Sequence, residues 1–166
     1  MTAGATYTPI ATTTLGSAEA SYTFTSVPTT YTDLVLVCTF NGSSFSWSTR
    51  VGNGSADSGA NYSITRLYGT GSAAESNRYT SETYFTGNIT GAADTNCIIQ
   101  FNNYSNTTTY KTALNRFNDA GAIVFAIAGL WRDTAAINTV QIVANSGSLP
   151  VGSTFSLYGI KAQVTP

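Results

Sequence analysis

Aromatic side chains beside polar loops are the residues of this chain whose chemistry best suits binding. The sequence holds ten tyrosines and two tryptophans in 166 residues. Flat aromatic faces beside amide and hydroxyl groups suit sugars, and they equally suit protein interfaces, where they bury a large area at low entropic cost. The candidate interface or glycan contacts are Trp47, Tyr62, Tyr68, Tyr79, Tyr84, Tyr104, Tyr110, Trp131 and Arg132. Many of these rings also suit a hydrophobic core.

Arg132 belongs to the densest cluster of unlike side chains, Trp131-Arg132-Asp133-Thr134. An arginine–aspartate pair directly after a buried strand could cap the following loop or dock a partner subunit. The cap is the simpler interpretation, because turns commonly hold such residues.

The chain lacks most of the residue types and motifs that enzymes use for catalysis. The chain has no histidine, which excludes Ser-His-Asp, Cys-His and histidine–metal chemistry. No phosphate-binding or dinucleotide-binding glycine motif is present. Glycoside hydrolysis needs only two carboxylates, but the eight acidic residues fall mostly at strand ends and in loops. We expect a non-enzymatic protein with no catalytic residue, no cofactor and no metal.

Two loops and two cysteines are the remaining candidates for a metal site or a covalent bond. Residues 57–61 and 94–96 offer the hard oxygens that Ca²⁺ prefers, although Asx turns explain both segments without a metal. Cys38 and Cys97 lie inside apolar runs. Two small buried hydrophobes fit them better than a disulfide, and two cysteines are too few for a zinc site.

Charge and hydropathy limit the possible partners. Charged residues make up 9% of the chain and its net charge is −1, so no broad field attracts nucleic acid or an anionic membrane. No apolar run reaches the roughly 18 residues of a membrane span, and no signal peptide is visible. We expect a chain made in a cytoplasm, whose weakly charged surface suits packing beside copies of itself. A secreted β-domain of the same composition is the alternative.

Short alternating segments between turn signals indicate an all-β fold. Predicted strands cover residues 20–27, 33–40, 45–51, 62–68, 82–89, 96–104, 110–117, 123–131, 140–145 and 155–164. About ten strands are enough for two packed sheets in one domain. Residues 1–19 are expected to form an N-terminal arm that adds to a neighbour's sheet, or an edge strand, and residues 20–166 to form the β-sandwich.

Strand pairing and loops are predicted from three local patterns. Asn41-Gly42 favours a tight turn, which would make 34–40 and 45–51 antiparallel neighbours. Residues 34–40 are apolar on both faces, which indicates a central strand covered on both sides. The polar stretches 53–61 and 68–81 are predicted to be loops.

The alternation near the C-terminus changes its face at a glycine. Phe155 and Leu157 share one parity, whereas Tyr158 and Ile160 carry the other beyond Gly159. Such a change predicts a long strand bent by a bulge at the glycine.

Four segments resemble a module that recurs in bacteriophage particle proteins. They are residues 30–37 (TYTDLVLV), 109–116 (TYKTALNR), 129–137 (GLWRDTAAI) and 153–162 (STFSLYGIKA). Similar sequences occur among virion structural proteins of environmental phages, including those that infect cyanobacteria. The resemblance implies a single-domain antiparallel β-sandwich of jelly-roll type and no catalysis. It transfers no functional residue, because it consists of a fold pattern and not of a site motif.

Two roles are compatible with this resemblance. Some such proteins resemble capsid decoration (cement) proteins, which implies binding to the major capsid protein, stabilisation of the outer shell and assembly as a homotrimer. Others are modules at the ends of tail fibres, which implies recognition of a host surface glycan. The first role is preferred because the sandwich follows a short arm and no shaft region. Both roles place the protein in a virion that is assembled in the host cytoplasm. A free lectin-like β-sandwich is a third, weaker interpretation.

Overall fold

The fold is built entirely from β-strands in the computed structural model, which describes residues 6–42, 45–86, 89–91, 94–119 and 123–161. Twelve strands connect in chain order. They are β1 (Thr8–Thr14), β2 (Ser21–Phe24), β3 (Asp33–Phe40), β4 (Phe45–Gly52), β5 (Tyr62–Gly69), β6 (Ala74–Glu82), β7 (Ile89–Gly91), β8 (Thr95–Asn102), β9 (Lys111–Asp119), β10 (Ile123–Trp131), β11 (Thr139–Ser146) and β12 (Thr154–Ile160). In these ranges no helix is long and apolar enough to cross a membrane.

The strands form a β-sandwich of jelly-roll type with an addition to one sheet. The eight-stranded sheet has the order β1-β12-β3-β8-β9-β10-β5-β6, and the four-stranded sheet has the order β2-β11-β4-β7. If β5, β6, β9 and β10 are set aside and the others are renumbered, the two sheets become 1-8-3-6 and 2-7-4-5. This is the strand order of a jelly roll. We call β9, β10, β5 and β6 the extension and the other eight strands the jelly roll.

The core fills the space between the inner faces of the two sheets. Phe40 lies at its centre, with ring centroids 4.6 Å from Trp47 and 5.4 Å from Phe155. All three side chains are fully buried. Alternation with a period of two aims every second residue inward, and β9 follows it without interruption from end to end.

The predicted hairpin at Asn41-Gly42 is wrong. Strand β3 pairs with β12 and β8, whereas β4 pairs with β11 and β7 in the other sheet. Both hydrogen-bonding edges of β3 are therefore occupied, and the connection crosses between the sheets. Gly42 still has a positive φ of 134°, which glycine tolerates. The central position of β3 is confirmed, although its outer face is only partly covered, with Val37 half-buried.

The bulge predicted at Gly159 lies in the neighbouring strand instead. Strand β12 pairs with β3 without a shift, and the irregularity falls in β1 between Pro9 and Ala11. Gly159 continues the inward parity of Phe155 and Leu157. The Tyr31 ring occupies the space of its missing side chain, because a Cβ there would lie 2.3 Å from Tyr31 Cγ. The apparent change of face in the sequence therefore has another cause: Gly159 makes room for the Tyr31 ring, and the strand itself is regular.

Edge strands account for most of the other differences. The predicted loop 68–81 contains most of β6, and the predicted strand 82–89 is wrong, since residues 83–86 are bends and 87–88 lie outside the described residues. Strand β1 pairs with β12 of its own chain, which matches the edge-strand alternative for residues 8–14. The loop predicted at 53–61 is confirmed.

Candidate functional site

Four of the nine candidate contact residues belong to the core. Trp47, Tyr62 and Tyr104 are 0% exposed and Trp131 is 2% exposed. Their assignment to a contact surface is corrected by this burial. Their polar atoms mostly face inward partners, as when the Tyr62 hydroxyl donates to the backbone oxygen of Val51 at 2.9 Å.

Asp57 anchors the loop that follows β4. Its Oδ2 accepts hydrogen bonds from Trp131 Nε1 at 2.8 Å and Asn61 Nδ2 at 2.9 Å, and its Oδ1 accepts one from the Gly59 N–H at 2.7 Å. Burial alone would raise the pKa of Asp57, but these hydrogen bonds outweigh it and hold the pKa below its usual value. The loop is therefore an Asx turn. Within the described ranges, no three acidic or cysteine side chains group so as to hold a metal ion.

Arg132 caps the same end of the sandwich. Its guanidinium donates to Ser63 Oγ and, at 3.1 Å each, to the carbonyl oxygens of Ala60 and Tyr62. Asp133 Oδ1 accepts from the Ala135 N–H at 2.8 Å. These bonds are those of a loop cap, and they occupy Arg132 within its own chain.

Cys38 and Cys97 face each other across β3 and β8. They are register partners, and both are buried free thiols. Burial, together with the neighbouring Cys38, raises the pKa of the Cys97 thiol. Cys97 Sγ donates to Asn115 Oδ1 at 3.2 Å. Both cysteines act as the small core residues that the sequence predicts.

Aromatic and polar side chains, all half-buried except the exposed Glu75, gather on the inner face of the extension, in a cluster that we call the ledge. Its members are Arg66, Tyr68, Glu75, Asn77, Tyr79 and Phe125. Strand register brings them together, because Tyr68 stands between Phe125 and Glu75, and Arg66 stands opposite Asn77. Two of the candidate contact residues, Tyr68 and Tyr79, thus meet in one place.

Arg66 is the centre of the ledge. Its guanidinium carbon lies 5.3 Å from the Tyr68 ring, 4.9 Å from the Tyr79 ring and 5.8 Å from the Phe125 ring. Nη2 donates to the Tyr79 hydroxyl at 2.8 Å, and Nε donates to Asn77 Oδ1 at 3.4 Å. Such cation–π contacts fix a flexible side chain in one orientation.

Two tyrosine–glutamate pairs lie on and beside the ledge. The Tyr68 hydroxyl donates to Glu75, and this bond raises the pKa of Tyr68. Tyr84 is half-buried, and its pKa is raised by burial and by a hydrogen bond to Glu82, within the electrostatic reach of Arg66 and Tyr79. Tyr84 therefore adds a third candidate residue to this region.

The outer face of the extension, together with β8, carries an apolar surface that we call the trough. It consists of Leu67, Ile98, Leu114, Val124, Ala126 and Ala128. Leu67, Leu114 and Val124 are 59%, 57% and 59% exposed. The small side chains of β10 form a floor between the longer side chains of β5 and β9, which leaves a groove of about 490 Å³.

Arg116 projects from the middle of the trough. It stands between Ile98 on β8 and Ala126 on β10 in the register of the sheet. Its side chain is exposed. Among the described residues, it has no hydrogen-bond partner, no ion pair and no contact with an aromatic ring. An arginine that has no partner among the described residues, on an apolar face, offers its five N–H donors to another molecule.

Tyr110 stands apart from the other candidates. It directly precedes β9, is 54% exposed, and makes no ring contact with another described aromatic residue. Sequence analysis did not identify Arg66, at the centre of the ledge, or any residue of the trough as a candidate contact.

Comparison with known proteins leaves the family open. No protein-family model and no curated protein matches the chain. One similar solved structure is an alginate lyase mutant in complex with an alginate tetrasaccharide, at a TM-score of 0.34 and 13% identity over 88% of this chain and 82% of that one. A TM-score of this size does not establish a shared fold, and the activity of that enzyme is not transferred.

Proposed function

We propose that this chain is a non-enzymatic structural protein of a bacteriophage virion, and specifically a capsid decoration protein that docks through the trough. The observation that carries the proposal is the group of aliphatic side chains exposed together on one face, Leu67, Leu114 and Val124. A contiguous apolar patch on a small domain marks an interaction site. The jelly-roll strand order supports the proposal, because the resemblance of the sequence implies that fold.

The charges around the trough favour a partner surface that carries carboxylates. Arg116 lies at the centre of this face and Arg78 is exposed at its edge. The outward positions of β9, β10, β5 and β6 hold no acidic residue. Complementary charge aligns two apolar surfaces and raises the rate of association. We assign this surface to the major capsid protein, which would offer apolar side chains and at least one acidic residue to Arg116.

Self-association belongs to the same proposal. A homotrimer at a local symmetry axis of the shell would let each copy contact several capsid subunits. A standard contact buries roughly 1,600 Å² and is repeated over the lattice. The net charge of −1 keeps the repulsion between closely spaced copies small.

Docking through the trough is tested by adding the chain back to particles that lack it. Wild-type protein and the Leu114→Asp variant are mixed with such particles and sedimented. We expect wild-type protein to sediment with the particles and Leu114→Asp to stay in solution, because the substitution places a carboxylate in the docking surface. Equal binding of the two proteins would overturn the assignment of this face.

A tail-fibre tip that recognises a host surface glycan is the second candidate role. It is favoured by a different observation, namely that Tyr68, Tyr79 and Tyr84 lie half-buried in one region of the surface. If the tip role holds, particles contain only a few copies of the chain and the trough contacts a fibre protein.

A further inference from the structure

We infer that the ledge is a binding site for neutral, hydroxyl-rich saccharides. The inference depends only on the inner face of the extension, and it holds whether or not the trough docks on a capsid. Aromatic rings, an oriented arginine, an amide and a carboxylate lie together there, and these are the groups that contact a sugar ring and its hydroxyls.

Polar atoms of the ledge remain available to a ligand. Arginine has five N–H donors, and described residues accept from Arg66 only through Nε and Nη2. The Asn77 amide nitrogen and the second Glu75 oxygen are likewise not used in the bonds that orient these side chains. Donors and acceptors therefore alternate over a short distance. A sugar hydroxyl both donates and accepts, so neighbouring hydroxyls match such a surface.

The charges select the class of sugar. Arg66 is accompanied by Glu75 on the ledge and by Glu82 beside it, next to Tyr84. Arg50 also lies here, because its Nε donates to the backbone oxygen of Thr83, between Glu82 and Tyr84, at 3.0 Å. Two carboxylates and two guanidinium groups leave this region without a net charge, so an anionic sugar gains no attraction that would offset the desolvation of its carboxylate. A neutral saccharide carries no such cost.

The ledge is also held in shape before a ligand arrives. Tyr68 stacks on Phe125 with centroids 5.2 Å apart, and Arg66 is fixed by Tyr79 and Asn77. Half-buried rings with fixed neighbours lose little side-chain entropy on binding. Because these side chains are already ordered, even a ligand that buries a small area is expected to bind with measurable affinity.

The test is calorimetric titration of the full chain with neutral gluco-, galacto- and manno-oligosaccharides, each paired with a uronic-acid oligosaccharide of the same length. We expect at least one neutral sugar to bind with a Kd below about 1 mM. Tyr68→Ala and Arg66→Lys are expected to weaken binding about tenfold, because each removes a ring face or the guanidinium fork. The matched variants Tyr110→Ala and Arg116→Lys, which lie outside the ledge, are expected to bind like wild type.

Three results would overturn the inference. They are absence of binding by every neutral sugar, unchanged affinity in both ledge variants, and tighter binding of the uronic-acid partner. If Tyr68→Ala does not fold, Tyr68→Leu takes its place, because leucine removes the aromatic face but keeps an apolar contact with Phe125. Tyr68→Leu and Arg66→Lys then decide the question. The trough is intact in all ledge variants, so particle binding fails or succeeds independently of this result.

Discussion

The outer face of the eight-stranded sheet differs sharply between the jelly roll and the extension. On the jelly-roll side, hydroxyls pair across strands, with 3.0 Å between Thr12 Oγ1 and Ser156 Oγ and 3.1 Å between Thr14 Oγ1 and Thr154 Oγ1. On the extension side, the corresponding rows hold Leu67 and Val124. One sheet thus presents a polar face and an apolar face side by side.

This difference distinguishes side chains that stabilise the sheet from side chains that are available to bind another protein. Cross-strand hydroxyl pairs stabilise a sheet and leave its surface wet. Exposed aliphatic side chains on the extension bury little in the isolated chain, so the fold gains little from them. The trough is therefore the part of the sheet for which we propose a binding role.

The largest expected effect separates the buried face from the trough. Leu36 is 0% exposed and Leu114 is 57% exposed. Leu36→Ala is expected to lower the free energy of unfolding by about 2–5 kcal/mol, because it opens a cavity. Leu114→Ala is expected to change it by less than about 0.5 kcal/mol. Urea denaturation measures both, and a comparable loss in Leu114→Ala would mean that the trough is part of the core.

A smaller effect is expected where Tyr31 packs on Gly159. An alanine Cβ at 159 would lie 2.3 Å from Tyr31 Cγ, whereas one at Gly16 would meet no atom within 4 Å. Gly159→Ala is expected to lower the free energy of unfolding by about 1–3 kcal/mol through overpacking. Gly16→Ala is the matched control in the same denaturation experiment. Equal stability of the two variants would contradict the close approach of the ring.

The smallest of these effects is a pH-dependent loss of stability. It concerns Asp57, the carboxylate that accepts a hydrogen bond from the buried Trp131. The pKa of Asp57 lies below its ordinary value of 3.8 in the folded chain. A lowered folded pKa stabilises the fold fully above the unfolded pKa, and the contribution is lost as pH falls through the folded pKa. Asp57→Asn is expected to cost about 1.5 kcal/mol at pH 7.

The cost of Asp57→Asn is expected to shrink as pH falls from 3.8 through the lower pKa of the folded chain, because the carboxylate of wild type is then protonated as well. Urea denaturation between pH 2 and pH 7 measures it. Asp94→Asn is the control for charge, because Asp94 is exposed and, among the described residues, accepts one bond, from the Gly42 N–H at 3.1 Å. A cost in Asp57→Asn that does not change with pH would contradict the role of the carboxylate.

The strands that the sequence predicts well are those whose inward face is apolar along its whole length. Strand β3 was placed correctly at residues 33–40, because Leu34 and Leu36 alternate with a weaker opposite face. Strand β10 was predicted with its observed bounds, 123–131, for the same reason. Alternation is a direct consequence of burial on one side of a sheet.

The strands that the sequence misses or leaves as one of two alternatives are edges. Strands β1 and β6 stand at the two ends of the eight-stranded sheet, and neither contains a fully buried residue. The charged residues of β6, such as Glu75 and Arg78, are typical of a protected edge. Such a strand has no hydrophobic period, so its composition is that of a loop.

The sequence pattern predicts neither the trough nor the ledge, because both surfaces depend on strand register. Leu114 and Ala113 are adjacent and apolar, and only strand register shows that Ala113 faces the core. The ledge unites β5, β6 and β10, and sequence signals for β6 were absent. The tyrosines were recognised as candidates, whereas the arginine at their centre was not.

Copy number per virion tests the central claim most directly. Quantitative mass spectrometry of purified virions measures this chain against the major capsid protein. If the trough docks on the shell, hundreds of copies are expected, in a simple ratio to the capsid lattice. A handful of copies would contradict the decoration role and favour the fibre tip, and complete absence from virions would contradict both.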